Sequence, residues 1–284
     1  MYDVMKFWGV LLSLVILTSC SIDDSETTID DNTPIIPSAI FQDKFLICHR
    51  GHGDYPENTH TAIKAAISAG FRAVECDIEI TLDGVPVLSH DNTIDRCSNG
   101  GGRISDMTYS ELLQFDFGSW KDKKYAGEKI AKLDDVLALC KHAGVILELD
   151  LAGRMSGDSI GIIYDIVKKH KMQSLTIFTA QKAQFDKFLS KKRDVCISIS
   201  GIHNLSEAQE SLYLRDSVMY ANYSLQHWYV TKEICDYAHA NGMKVKTWTI
   251  TSEERLDRFF ELGGDCAIVE EVPADYNIPQ NLDH

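Results

Sequence analysis

Eight short apolar runs, separated by stretches of helical periodicity, succeed one another from residue 44 onwards, and this alternation constrains the fold more than any other feature of the chain. The runs cover 45–48, 73–80, 145–149, 175–178, 195–199, 218–221, 244–249 and 266–269. Amphipathic stretches at 59–69, 133–142, 160–170, 185–192, 207–214, 232–240 and 253–262 lie between them, several ending at a helix-stopping glycine: Gly70, Gly144, Gly242 and Gly263. Strands joined by helical crossovers run parallel. Eight of them predict a closed (β/α)8 barrel, because an open doubly wound sheet carries a glycine fingerprint after its first strand and no GxGxxG follows residues 45–48. One unit is irregular. At 85–130 a second short strand, 86–89, leads into a Gly-rich and aromatic stretch, read as a small insertion over one mouth of the barrel, with a purely structural lid as the alternative.

The barrel occupies residues 44–284 as one domain, and a hydrophobic content of 44% supplies its core. Residues 1–19 read as a lipoprotein signal peptide: Lys6, an apolar run at 7–17 too short to cross a bilayer, then Leu17-Thr18-Ser19-Cys20 in the form of a lipobox. Cys20 is then the lipidated first residue, although Asp3 dilutes the positive start and an ordinary cleaved signal is the alternative. Residues 20–43, polar and acidic with Pro34 and Pro37, form a flexible tether. This predicts export and lipid anchoring to a bacterial membrane, facing the periplasm or the surface, with the anchor as the sole membrane contact. The net charge of −14 argues against nucleic acid as a partner. An anionic small substrate would need a metal ion or a focused basic group to overcome the same field. Seven scattered cysteines remain after Cys20, without CxxC spacing, and read as small core hydrophobes instead of a disulfide framework or a zinc site.

In a barrel of this kind, chemistry is expected where strands end at the C-terminal mouth. His49-Arg50-Gly51 follows the first strand: a histidine, a planar donor fork suited to phosphate oxygens, and a glycine permitting close approach. On the second strand, Glu75, Asp77 and Glu79 share one face by their spacing of two. Crowded carboxylates on a barrel's inner face repel one another unless a cation intervenes, and hard oxygen donors favour Ca2+ or Mg2+. Glu75 and Asp77 are therefore candidate metal ligands, whereas Glu79 reads as structural. His90-Asp91 brings a second histidine, so that one imidazole can take a proton and the other give one; Asp91 orienting a structural imidazole is the plainer reading. Glu148 and Asp150 again share a face, and Glu148 is a candidate third ligand.

Together with Pro56-Glu57-Asn58-Thr59, the run from Thr81 to Val87, Asp95-Arg96, Gly100-Gly101-Gly102 and Trp248-Thr249, these clusters resemble the glycerophosphodiester phosphodiesterase family from residue 45 to 273. The resemblance implies a TIM (β/α)8 barrel with a small insertion after the second strand. It further implies one divalent cation, Ca2+ or Mg2+, on Glu75, Asp77 and Glu148, with His49 and His90 as acid and base. Arg50 would bind phosphate and Trp248 would wall the substrate pocket. Two departures stand out. The family usually has Lys where this chain has Asp150, which should weaken phosphate binding unless Lys246 or Arg154 compensates. The ending Glu270-Glu271-Val272-Pro273 replaces the family's Thr-Asp-Xaa-Pro and puts barrel-closing contacts in question. The leading expectation is metal-dependent hydrolysis of a small-molecule glycerophosphodiester to an alcohol and glycerol phosphate. The alternatives are hydrolysis of another, sugar-linked phosphodiester and a non-catalytic surface binding lipoprotein on the same barrel.

Overall fold

A computed structural model describes residues 44–270 apart from 152, 154 and 190–193. The expected leader at 1–19, Cys20, the tether at 20–43, Arg154 and the Glu271-Val272-Pro273 segment lie outside the described residues.

In chain order the elements are β1 (Phe45–Cys48), α1 (His60–Ser68), β2 (Ala73–Ile80), β3 (Pro86–Leu88), α2 (Tyr109–Leu112), α3 (Leu133–Ala143), β4 (Ile146–Leu151) and α4 (Gly157–Lys169). They continue with β5 (Thr176–Gln181), α5 (Lys182–Phe188), β6 (Cys196–Ser200), α6 (Leu205–Ser211), β7 (Tyr220–Gln226), α7 (Lys232–Ala240), β8 (Lys244–Ile250), α8 (Glu253–Glu261) and β9 (Cys266–Val269). Parallel pairing runs β1-β2-β4-β5-β6-β7-β8-β9 and returns to β1, so the sheet closes into the predicted eight-stranded barrel. Closure is secured by four residue pairs between β1 and β9, from Phe45 beside Cys266 to Cys48 beside Val269.

Local chemistry explains the element boundaries. The Thr59 hydroxyl caps α1 by accepting from the Ala62 amide at 3.2 Å, and Gly144 ends α3 in the left-handed conformation that glycine adopts without cost. Along the strands, apolar side chains such as Val74, Cys76 and Ile78 are buried in the main core, and polar ones occupy alternate positions. Cys48, Cys76, Cys140, Cys196, Cys235 and Cys266 are buried free thiols, as expected, and Cys97 is free and half-buried. Among the described residues no helix is long and apolar enough to cross a membrane.

One further strand among the described residues, β3, lies outside the ring and runs antiparallel to β2, pairing Leu88 with Ile78, Val87 with Glu79 and Pro86 with Ile80. The segment after it folds around a separate small core of Val87, Ile94, Ile104, Leu112, Phe117 and Ile130. Asp116 organises this insertion by accepting from the amides of Gly118, Ser119 and Gly127 at 2.8–3.0 Å and from the Ser119 hydroxyl at 2.7 Å. Lys121 donating to the Gly53 carbonyl at 2.7 Å and Thr61 donating to Glu128 at 2.7 Å pin the insertion to the β1–α1 region.

Candidate active site

A cavity of about 350 Å³ opens at the C-terminal ends of the strands. His49, Arg50, Glu75, Asp77, His90, Glu148 and Trp248, every site residue expected within the described part of the chain, line it.

His49 and Arg50 stand directly after β1. The chain turns sharply there: Arg50 has φ of 53° and Gly51 of 83°, and a Cβ on Gly51 would lie 2.6 Å from that of Ala62, so only glycine fits. The turn points the Arg50 amide at Glu75 Oε2, 3.1 Å away. The Arg50 guanidinium is held on two sides, by Glu57 at 3.0 Å and by Asp77 at 3.1 Å. Asn58, also in the left-handed region at φ 56°, donates to Asp77 Oδ2 at 2.9 Å and accepts from the Asp77 amide at 3.1 Å. The Pro56-Glu57-Asn58-Thr59 motif thus fixes the arginine and one carboxylate together.

His90 reaches the same mouth by a different route. Because β3 doubles back on β2, the chain returns toward Asp77, whose carbonyl accepts from the Ser89 amide at 3.0 Å. His90 Nδ1 then bonds Asp91 at 2.7 Å, Asp91 accepts from Arg96 at 2.7 Å, and Arg96 grips Glu57 through two bonds at 2.7 and 2.8 Å. His49 is anchored in the same manner, its Nδ1 lying 2.6 Å from Glu270 Oε1, while its Nε2 lies 3.9 Å from Glu75. With Nδ1 of each ring engaged by a carboxylate, Nε2 is the nitrogen left for proton transfer.

Four carboxylates gather in the cavity. Glu75 sits beside Glu148 and Asp77 beside Asp150 across the β2–β4 ladder. Glu75, Asp77 and Asp150 bring one oxygen each within 4.8 Å of one another. Glu148 stands apart in its bonding: Oε1 accepts from Lys246 and from the Thr179 hydroxyl, the latter at 2.7 Å, whereas Oε2, buried, has no hydrogen-bond partner among the described residues. Burial, then the neighbouring Asp77, Asp150 and Glu148, drives the Glu75 carboxyl well above its ordinary range; burial and Asp77 push Asp150 to about 7. Such a donor set fits a hard divalent cation, which would relieve that crowding and engage the orphaned oxygen.

Two expectations change here. Lys246 cannot serve as a phosphate-facing cation, because its side chain is fully buried and its ammonium is committed to Glu148. Glu270, feared to disturb closure, instead sits at the end of the last strand and orients His49. That role was hidden in the sequence because the partners are 221 residues apart; its only linear signal is a carboxylate at a strand's C-terminal end.

Two anchored histidines, an arginine and clustered carboxylates at the mouth of a (β/α)8 barrel define a phosphodiester hydrolase. Residues 49–273 match the Glycerophosphoryl diester phosphodiesterase family, and the chain belongs to it. The glycerophosphodiester phosphodiesterase of Caldanaerobacter subterraneus subsp. tengcongensis is 25% identical over 251 residues, 82% of this chain and 96% of that protein. A phosphodiesterase of Oleispira antarctica, solved in complex with the product sn-glycerol-3-phosphate, superposes with a TM-score of 0.71 at 26% identity, covering 86% of this chain and 96% of that one. A glycerophosphoryl diester phosphodiesterase from Parabacteroides distasonis gives a TM-score of 0.65 at 18% identity over 86% of this chain and 94% of its own.

Proposed function

We propose that this phosphodiesterase hydrolyses glycerophosphodiesters to an alcohol and glycerol phosphate, dependent on a divalent cation and with His49 and His90 as the acid and base. The observation that carries the reading is the pair of imidazoles, each held through Nδ1 by a carboxylate, on one cavity with Arg50 and the acidic cluster. Cleaving a P–O bond requires removing a proton from the attacking oxygen and delivering one to the departing alcohol. Each Nε2 is suited to one of these tasks, and the carboxylates on Nδ1 fix the orientation of each ring. Arg50, fixed by Glu57 and Asp77, offers its remaining donors to the phosphate oxygens. A divalent cation held by Glu75 and Asp77, with Glu148 as the expected third ligand, would neutralise phosphate charge. Trp248 provides an apolar wall for the alcohol. The Oleispira neighbour, captured with sn-glycerol-3-phosphate, supports the glycerol phosphate half of the substrate.

A second reading, a sugar-linked phosphodiester, draws on Asp150 and on the uncharged side of the cavity, where Gln181, Gln184 and Gln226 offer amides to hydroxyl groups. The test is turnover of glycerophosphodiesters with choline, ethanolamine, glycerol and inositol head groups, in Ca2+, Mg2+ or EDTA, with Glu75→Ala as control. Metal-dependent release of glycerol phosphate, abolished in the control and reduced about 10²- to 10⁴-fold by His49→Ala or His90→Ala, is expected. Activity indifferent to EDTA, or unaffected by either histidine, would sink it. The reading extends to location: export and lipid anchoring through Cys20, checked by fatty-acid labelling that Cys20→Ser should abolish.

A further inference from the structure

The cavity carboxylates form a two-by-two array imposed by strand register, Glu75 and Asp77 on β2 beside Glu148 and Asp150 on β4. Among the described residues two cationic side chains pair with the array: Arg50 with Asp77 and Lys246 with Glu148. Four carboxylates against two basic side chains leave an excess of two acidic groups, which a divalent ion would allow to ionise together. The structure also says where that excess lies. Lys246, buried beside Thr179, occupies one oxygen of Glu148, and the carboxylates that converge without it are Glu75, Asp77 and Asp150. Glu148 also lines the cavity, and its buried Oε2 has no hydrogen-bond partner among the described residues.

We propose that Asp150 is a direct ligand of the divalent cation, alongside Glu75 and Asp77, and that Lys246 is a positioning residue that restrains Glu148 so that only its Oε2 faces the ion. The two residues act as a matched pair. An aspartate at 150 adds a fourth anion to a crowded site, and a lysine behind Glu148 offsets it from a place where the ammonium cannot displace the ion. The inference rests on the metal-dependent reading above.

The test is calorimetric titration of the EDTA-treated full chain with Ca2+ and with Mg2+, accompanied by thermal melts. Wild type should bind one ion, and Asp150→Asn, nearly isosteric, should bind it at least about tenfold more weakly while melting as a folded protein. Lys246→Met removes a positive charge beside the site and leaves Glu148 Oε1 held by Thr179 alone, so the ion should bind about tenfold more tightly. Replacing Glu148 by Gln in the same variant should cancel that gain, and Lys246→Gln, which also removes the charge, carries the comparison if Lys246→Met does not fold. A lysine that merely supports the barrel would lower the melting temperature and leave affinity unchanged, which overturns its positioning role. Wild-type affinity in Asp150→Asn overturns the ligand assignment alone; no ion bound by wild type overturns the metal-dependent reading as well.

Discussion

Glu270, directly after β9, sets its carboxylate on Nδ1 of His49, and that contact decides whether the imidazole stands in one orientation or turns. Hydrogen bonds to charged groups contribute about 1.5–3 kcal/mol, so Glu270→Gln should lower kcat by about tenfold or more. Its KM should change little, because Glu270 acts through His49 instead of holding substrate; a large rise in KM with kcat intact would contradict the role. At this scale the sequence was legible where a motif is local. His49-Arg50-Gly51, Glu75 with Asp77, and His90-Asp91 each declare themselves within a few residues, and His49, Arg50, Glu75, Asp77 and His90 line the cavity. Contacts between distant strands were not legible. Nothing near Lys246 in the chain announces that its ammonium will be taken by a carboxylate 98 residues earlier.

The eight barrel strands were all anticipated, but several were read too short, and always at the same end. The run ending at Phe178 continues in the structure to Gln181, and the one ending at Ala221 continues to Gln226. Hydrophobic patterning stops at the first polar residues, yet Thr179, Gln181, Ser224 and Gln226 belong to strands and line the cavity. Apolar periodicity therefore finds the buried body of a barrel strand and loses the part that does chemistry. Helix packing yields its own prediction. Asp134, in the first turn of α3, accepts from Lys169 at 2.9 Å and bonds His170 at 3.0 Å at the end of α4. The bond from Lys169, and next that from His170, holds the Asp134 carboxyl down at about 2, below its ordinary value of 3.8. A depressed folded-state pKa gives stability that is present above the unfolded value and lost as pH falls through the folded one. Asp134→Asn should therefore melt below wild type at neutral pH, with the two curves converging between about pH 4 and 2. A constant gap across that window would contradict the linkage.

The molecule as a whole carries a net charge of −14 around a cavity meant for an anion. Even if a bound cation neutralises the acidic array, as proposed, the wider field would still oppose a phosphodiester's approach. Raising NaCl from about 10 to 150 mM should therefore increase kcat/KM by screening that repulsion; a decrease would mean that Arg50 and the cation dominate the field the substrate meets. Barrel closure, legible from eight repeated units, brings β9 and Glu270 next to β1 and His49, and so joins the two ends of the described chain at one reactive group. The reversal of β3 on β2 does something different. It places both histidines, the arginine and two of the four carboxylates within one contiguous stretch, residues 49–91. That stretch can be inherited as a block: recombination between related barrels at its edges would carry both imidazoles, the arginine and two carboxylates together, but the incoming block would still have to find Glu148, Asp150 and the Glu270 that anchors His49 on the recipient's later strands.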